Sequence, residues 1–184
     1  METSINNSSD NVRLRFAWRA GYLLAALGIY IADQVSKAWA VRTLRFGDER
    51  VLIPGFFKFV YTENPGIAFG QLQDGGSFNR WFFVVLAVAA AIGVFYYFLR
   101  TPRNEDRVLG ACALMLAGIV GNLTDRARLG YVVDFIVLHA GEYHWPTFNI
   151  ADASITIGAL LLASDIIFSH RSKTQDVPGA VSDR

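Results

Sequence analysis

Apolar residues in this chain gather into long blocks separated by polar connections. Residues 81–99 hold no charge and are bracketed by Arg80 and Arg100. Coiled as a helix, such a block has about the length needed to cross a roughly 30 Å hydrocarbon core. Residues 108–124 form a second block, 20–40 a third with Asp33 and Lys37 near its end, and 153–169 a fourth interrupted by Asp165. The pattern predicts an all-α membrane protein with four transmembrane helices at about residues 19–40, 81–99, 108–124 and 152–169, forming a single domain over 1–184. Between the first two spans, Val51-Leu52-Ile53 and residues 56–61 are β-prone and separated by Pro54-Gly55, which predicts a small hairpin or sheet. Residues 1–11 and 174–184 are polar without apolar periodicity and read as disordered tails.

Composition sharpens this picture. The chain is 53% hydrophobic and 18% charged, on the membrane side of ordinary globular usage. A net charge of +1, with no Lys/Arg run or zinc-finger spacing, argues against a nucleic-acid partner. The single cysteine, Cys112, has no internal partner for a disulfide. The first apolar stretch is longer than a signal-peptide core and ends at Asp33 and Lys37, so it reads as a retained anchor. Arg100, Arg103 and Arg107 crowd the short connection between the second and third spans, and Arg13, Arg15 and Arg19 precede the first span. This density predicts cytoplasmic termini, with the long first connection and the Asp134 to Asp152 segment together on the outer face.

The polar residues that interrupt the apolar pattern carry the chemistry. A carboxylate at or near a bilayer costs roughly 2.5–3.5 kcal/mol at a helix centre, so it persists where it pairs or reacts. Asp134 sits in a run rich in valine and isoleucine, residues 131–138, that reads as a buried strand. It either accepts backbone hydrogen bonds, pairs with Arg126 or Arg128, or reacts. Asn149-Ile150-Ala151-Asp152 has the spacing of a capping box opening the fourth span, and a helix N-terminus also keeps a carboxylate ionised. Ala113, Ala117 and Gly121 recur at four-residue steps leading to Asp125, a stripe suited to close helix packing that aims Asp125 into the bundle. Gly118, Asn122 and Arg126 form the adjacent row. Asn64-Pro65-Gly66 reads as a type II turn that could present the Asn64 amide to a substrate carbonyl. Asp33 and Lys37, four apart, predict an intrahelical ion pair.

Two carboxylates brought close do not both ionise easily. They share a proton, one acting as base toward water and the other as acid toward a carbonyl. Such a pair needs neither metal nor other cofactor. The chain has three histidines and no His-Glu-x-x-His motif, so a metal centre is not expected. A rival reading takes Asp33, Asp125, Asp134 and Asp152 as the path of a small ion-coupled transporter, although no internal repeat is visible.

Five blocks in order give the chain a wider resemblance: Asp33-Gln34-Val35-Ser36-Lys37, residues 64–70 beginning Asn64-Pro65-Gly66, residues 118–126 ending Asn122-Leu123-Thr124-Asp125-Arg126, Val132-Val133-Asp134-Phe135, and Phe148-Asn149-Ile150-Ala151-Asp152. Together they resemble the lipoprotein signal peptidase family, signal peptidase II. That resemblance implies an aspartyl endopeptidase of the bacterial inner membrane that cleaves prolipoproteins before their diacylglyceryl-modified cysteine, at the periplasmic or outer face. It implies Asp134 and Asp152 as the catalytic pair and Asn64, Gly66, Asn122, Arg126 and Asn149 as residues around the substrate. Asp33, Lys37 and Asp125 become supporting positions. Four transmembrane helices, a small extracytoplasmic β-sheet cradle and a mobile loop over the site are the implied fold. The expected partners are a lipid-modified prolipoprotein and membrane lipids, with the protein acting as a monomer.

Overall fold

A computed structural model describes the backbone of residues 3–66 and 76–175 and the side chains of 18–66 and 78–168. Four helices alternate with four strands: α1 (Thr3–Leu44), β1 (Arg50–Ile53), β2 (Phe57–Asn64), α2 (Gly76–Arg100), α3 (Asp106–Arg128), β3 (Val132–Ala140), β4 (Tyr143–His144) and α4 (Ile150–Gln175). Helix α1 takes in residues 3–11 and α4 takes in 174–175, where the composition reads as tail. A helix once nucleated in an apolar segment extends at little further cost. The rest of the C-terminal stretch and residues 67–75, which include the Ile67-Ala68-Phe69-Gly70 segment, lie outside the described residues.

Among the described residues, three helical segments are long and apolar enough to cross a membrane: Phe78–Arg100, Asp106–Arg128 and Ile150–Phe168. The expected first span is helical but falls short of that measure. Asp33, Gln34 and Lys37 dilute its hydropathy, and the structure turns Asp33 and Lys37 inward, where both are buried.

Helix α3 is the centre of the bundle. Of its apolar window 67% is buried, against 6% in α2 and 17% in α4, and α1, α2 and α4 all pack on it. The small-residue stripe makes this possible. A Cβ at Gly118 would lie 2.3 Å from the Ala151 carbonyl oxygen, and one at Gly121 would lie 2.6 Å from an Asp33 carboxylate oxygen. Glycine at these two positions brings the start of α4 and the middle of α1 against α3.

The strands form one antiparallel sheet in the order β1-β2-β3-β4 at the end of the bundle where α1 and α3 terminate. Ile53-Pro54-Gly55-Phe56 turns β1 into β2. Phe56 N–H donates to the Ile53 carbonyl at 3.0 Å, and Gly55 holds a φ of +74° that a type II turn requires. Strand β2 pairs with β3 across two intervening helices, with Thr62 opposite Asp134 and Asn64 opposite Val132. Val133 and Phe135 bury against Ala40 and Leu44 with Trp39 and Phe59 packed around them, which seats the sheet on the end of α1. Outside the bilayer each such large side chain contributes about 2 kcal/mol.

Candidate active site

Helix ends and one strand converge where the sheet meets the bundle. Asp134 comes from β3 and is 2% exposed. Asp152 comes from the first turn of α4, Asn122 from α3, and Asn149 caps α4. The cap is reciprocal, as the sequence spacing predicts: Asp152 N–H donates to Asn149 Oδ1 at 2.9 Å, and Asn149 N–H donates to Asp152 Oδ2 at 3.2 Å.

Two side-chain amides link the carboxylates, and groups that can only donate determine how each amide faces. Lys37 Nζ donates to Asn122 Oδ1 at 2.9 Å, so the Asn122 NH2 turns to Asp152 Oδ1 at 2.7 Å. The Asp152 N–H occupies Asn149 Oδ1, so the Asn149 NH2 turns to Asp134 Oδ1 at 2.7 Å. Asn64 Nδ2 donates to the other Asp134 oxygen at 2.9 Å, while its Oδ1 accepts Gly66 N–H at 2.8 Å. Each of the four carboxylate oxygens therefore accepts an N–H. Asn64 thus gives one N–H to Asp134 and Asn122 one to Asp152, each amide keeping a second N–H, whereas the Asn149 NH2 is shared among Asp134, Asn122 and the Val133 carbonyl. Cross-strand register explains the Asn64 contact, since residues displaced by two along facing strands share one face.

Beneath this layer lies a second charged set. Lys37 Nζ is 3.0 Å from Asp33 Oδ2 and 2.9 Å from Asp125 Oδ2, all three side chains being buried. The predicted intrahelical pair is present, and it is also a tie between helices. Asp33 Oδ1 accepts the Ala151 N–H at 2.9 Å and Asp125 Oδ2 accepts the Val133 N–H at 3.2 Å, so the set holds the start of α4 and of β3. Gln34 donates to both aspartates, at 3.1 Å and 3.2 Å, and to the Gly121 carbonyl at 3.3 Å. Gln34 has a legible signal, a polar residue directly beside Asp33 in an apolar stretch, but the sequence alone gives it no role.

Asp134 is held up at about 6 by burial; the Asp152 charge adds to the rise, and the amides of Asn64 and Asn149 with the Lys37 charge oppose it. The expected alternative partners are not there: among the described residues neither Arg126 nor Arg128 forms an ion pair with Asp134. Arg126 lies with its guanidinium over the Phe83 ring at 5.5 Å, and its buried Nε has no hydrogen-bond partner among the described residues. Gly66, at φ +86°, bears on the same ring: a Cβ there would sit 2.9 Å from it. Phe83, one of 14 phenylalanines, carries no signal in the sequence that would single it out.

A cavity of about 300 Å³ opens beside these groups, between α2 and α4 and floored by α3. Its walls are Phe83, Leu86, Ala87, Ala90, Ile119 and Ile155, and its polar residues are Asn122, Arg126 and Asp152. Among the described residues no group of three or more His, Cys, Asp or Glu side chains is placed to hold a metal.

What fold and site define is a membrane protein with two carboxylates linked at the rim of a helical bundle, one of which, Asp152, lines an apolar groove. A family profile described as signal peptidase (SPase) II matches residues 25–168. The chain is 39% identical over 157 residues to a lipoprotein signal peptidase of Cellvibrio japonicus, covering 85% of this chain and 92% of that one. It is also 39% identical over 163 residues to one of Pseudomonas fluorescens, covering 88% and 95%. A bacterial membrane enzyme solved by the in meso method at 2.3 Å resolution superposes with a TM-score of 0.70 at 32% identity, covering 89% of this chain and 95% of that one. The chain belongs to the signal peptidase II family, a family of peptidases. Membership sets aside the ion-coupled transporter.

Proposed function

We propose that this protein removes the signal peptide from lipid-modified prolipoproteins, and that it does so as an aspartyl endopeptidase with Asp134 and Asp152 as its catalytic pair. The observation that carries the reading is the pair itself: two carboxylates on separate elements, joined through Asn149, with Asp152 lining an apolar groove.

Burial holds Asp134 up at about 6 and makes it the proton holder, while Asp152, on the first turn of α4, is the base. A water between them attacks the scissile carbonyl carbon and gives its proton to Asp152 as Asp134 protonates the carbonyl oxygen. The tetrahedral diol then collapses: the C–N bond breaks, Asp152 returns its proton to the leaving nitrogen, and Asp134 recovers one from the diol. Arg126, with the second N–H of Asn122, supplies the donors of the groove and takes a substrate carbonyl or headgroup oxygen. A signal peptide lies as helix against the groove and unwinds at the cut, and the acyl chains on the cysteine bury along α2 and α4 at about 0.8 kcal/mol per methylene.

The same reading makes α1 a fourth crossing of the bacterial inner membrane despite its polar patch. It sets both termini in the cytoplasm, the sheet at the outer face, and the cut immediately before the lipidated cysteine. It needs no cofactor and no second subunit.

A gel-shift cleavage assay in detergent, with one prolipoprotein supplied lipidated or unlipidated, tests the reading. Wild type should cut the lipidated form only, Asp134→Asn and Asp152→Asn should cut neither while remaining folded, and Asp125→Asn should keep measurable turnover. Normal cleavage by either dyad variant would end the assignment. In the free enzyme kcat/KM should fall above about pH 6 as the dyad loses its one proton.

A further inference from the structure

A second cavity lies on the α1 side of α3, at the end of the bundle that carries the sheet, and the dyad does not use it. Its volume is about 220 Å³, with Gln34, Lys37 and Asp125 in its floor and Arg42 and Arg128 at its rim. The two arginines occupy the last turns of α1 and α3. Among the described residues neither makes a hydrogen bond or ion pair, whereas Lys37 is fully engaged by Asp33, Asp125 and Asn122. Counting Lys37, Arg42 and Arg128 against Asp33 and Asp125 leaves one positive charge, which a single phosphodiester would neutralise. Complementing the carbonyls at a helix C-terminus accounts for each arginine alone. It does not account for two of them, from different helices, facing one cavity.

What lies below the cavity selects its occupant. Leu24, Leu27, Ile31 and Val35 are all exposed and recur at three- and four-residue steps up α1 to Ala38 and Arg42, forming an apolar stripe that ends at the cavity. On α3, exposed Val120 leads through Thr124 to Arg128 by the same four-residue step. The Tyr30 and Thr124 hydroxyls, 3.4 Å apart, close the wall between the helices. Apolar stripe below and cationic cavity above is the order of a phospholipid, chains then headgroup.

We propose that this cavity binds the phosphate of an anionic phospholipid, with Arg42 and Arg128 as its ligands and the acyl chains along the α1 stripe. The site is separate from the groove that holds Asp152, and the inference does not depend on what the dyad cleaves.

The test is thermal unfolding of the full chain in a non-ionic detergent with added dioctanoyl-phosphatidylglycerol. Dioctanoylglycerol, with the same chains and no phosphate, and inorganic phosphate are run at the same concentration. The phospholipid should raise Tm of the wild type by about 3 °C near saturation, with no rise from either of the others. The Arg42→Gln/Arg128→Gln double variant should lose that rise, and Lys58→Gln, on the sheet, should keep it. An equal rise in the double variant, or none in the wild type, would overturn the proposal. Dioctanoylglycerol matching the phospholipid would reduce the effect to the chains, and inorganic phosphate matching it would replace the lipid with a free anion, each overturning it as well.

Discussion

Asp134 is the residue at which stability and chemistry oppose each other. Its folded pKa of about 6 lies above the value near 3.9 expected in an unfolded chain, so the folded state binds the extra proton between those values. Its contribution to stability is therefore complete below about pH 4 and is lost as pH rises through about 6, a change on the order of 3 kcal/mol. Asp134→Asn should flatten this stretch of the stability profile and leave the protein more stable than wild type at pH 7, measured by thermal unfolding in detergent from pH 4 to 8. Lys37 has the opposite character. Removing its charge leaves Asp33 and Asp125 buried without a counter-ion, so Lys37→Met should cost about 3–5 kcal/mol. Adding Asp33→Asn and Asp125→Asn to that variant should recover much of the loss. A triple variant no more stable than the single one in the same unfolding measurement would contradict the account.

At the scale of elements, local pattern and long-range pairing divide what could be read in advance. The charge-free block at 81–99, the stripe from Ala113 to Gly121 and the valine-rich run around Asp134 announce α2, α3 and β3, because each signal lies within the element it describes. The capping box at Asn149 and Asp152 was legible for the same reason. Pairing of β2 with β3, which sets Asn64 on Asp134, was not: two helices intervene, and no local feature records the register. Hydropathy ranks α1 below the other helices because it counts Asp33 and Lys37, which are buried, as though they were exposed. The two kinds of glycine in α3 give a paired prediction. Gly118→Ala drives a methyl into the Ala151 carbonyl, whereas a Cβ at Gly110 meets nothing within 4 Å. The first should cost about 1–3 kcal/mol and slow cleavage by shifting the first turn of α4. Gly110→Ala should leave the rate unchanged and gain a few tenths of a kcal/mol in helix propensity, as unfolding and cleavage-rate measurements on the two variants would reveal.

Across the whole molecule, α3 holds the bundle, and among the described residues α2 packs along α3 and touches α1 only near its far end, where Arg19 donates to the Leu99 carbonyl and Tyr22 meets Phe98. The groove between α2 and α4 is therefore the side on which the bundle widens at least cost. Joining the two walls tests this: Phe83→Cys/Ile155→Cys in a Cys112→Ala background, cross-linked with a cleavable thiol reagent, should lose cleavage and regain it on reduction. Undiminished cleavage by the cross-linked protein would mean that substrate comes in elsewhere. The position of Asn149 has a consequence for how such a protein is made. The asparagine that touches both carboxylates and the second carboxylate itself arrive together on the opening turn of α4, the fourth helix in chain order. A growing chain that ends before α4 holds Asp134 and lacks both Asp152 and Asn149. On the proposed assignment of the pair, the hydrolase stays inert throughout its own biosynthesis and becomes competent only when its last helix has docked.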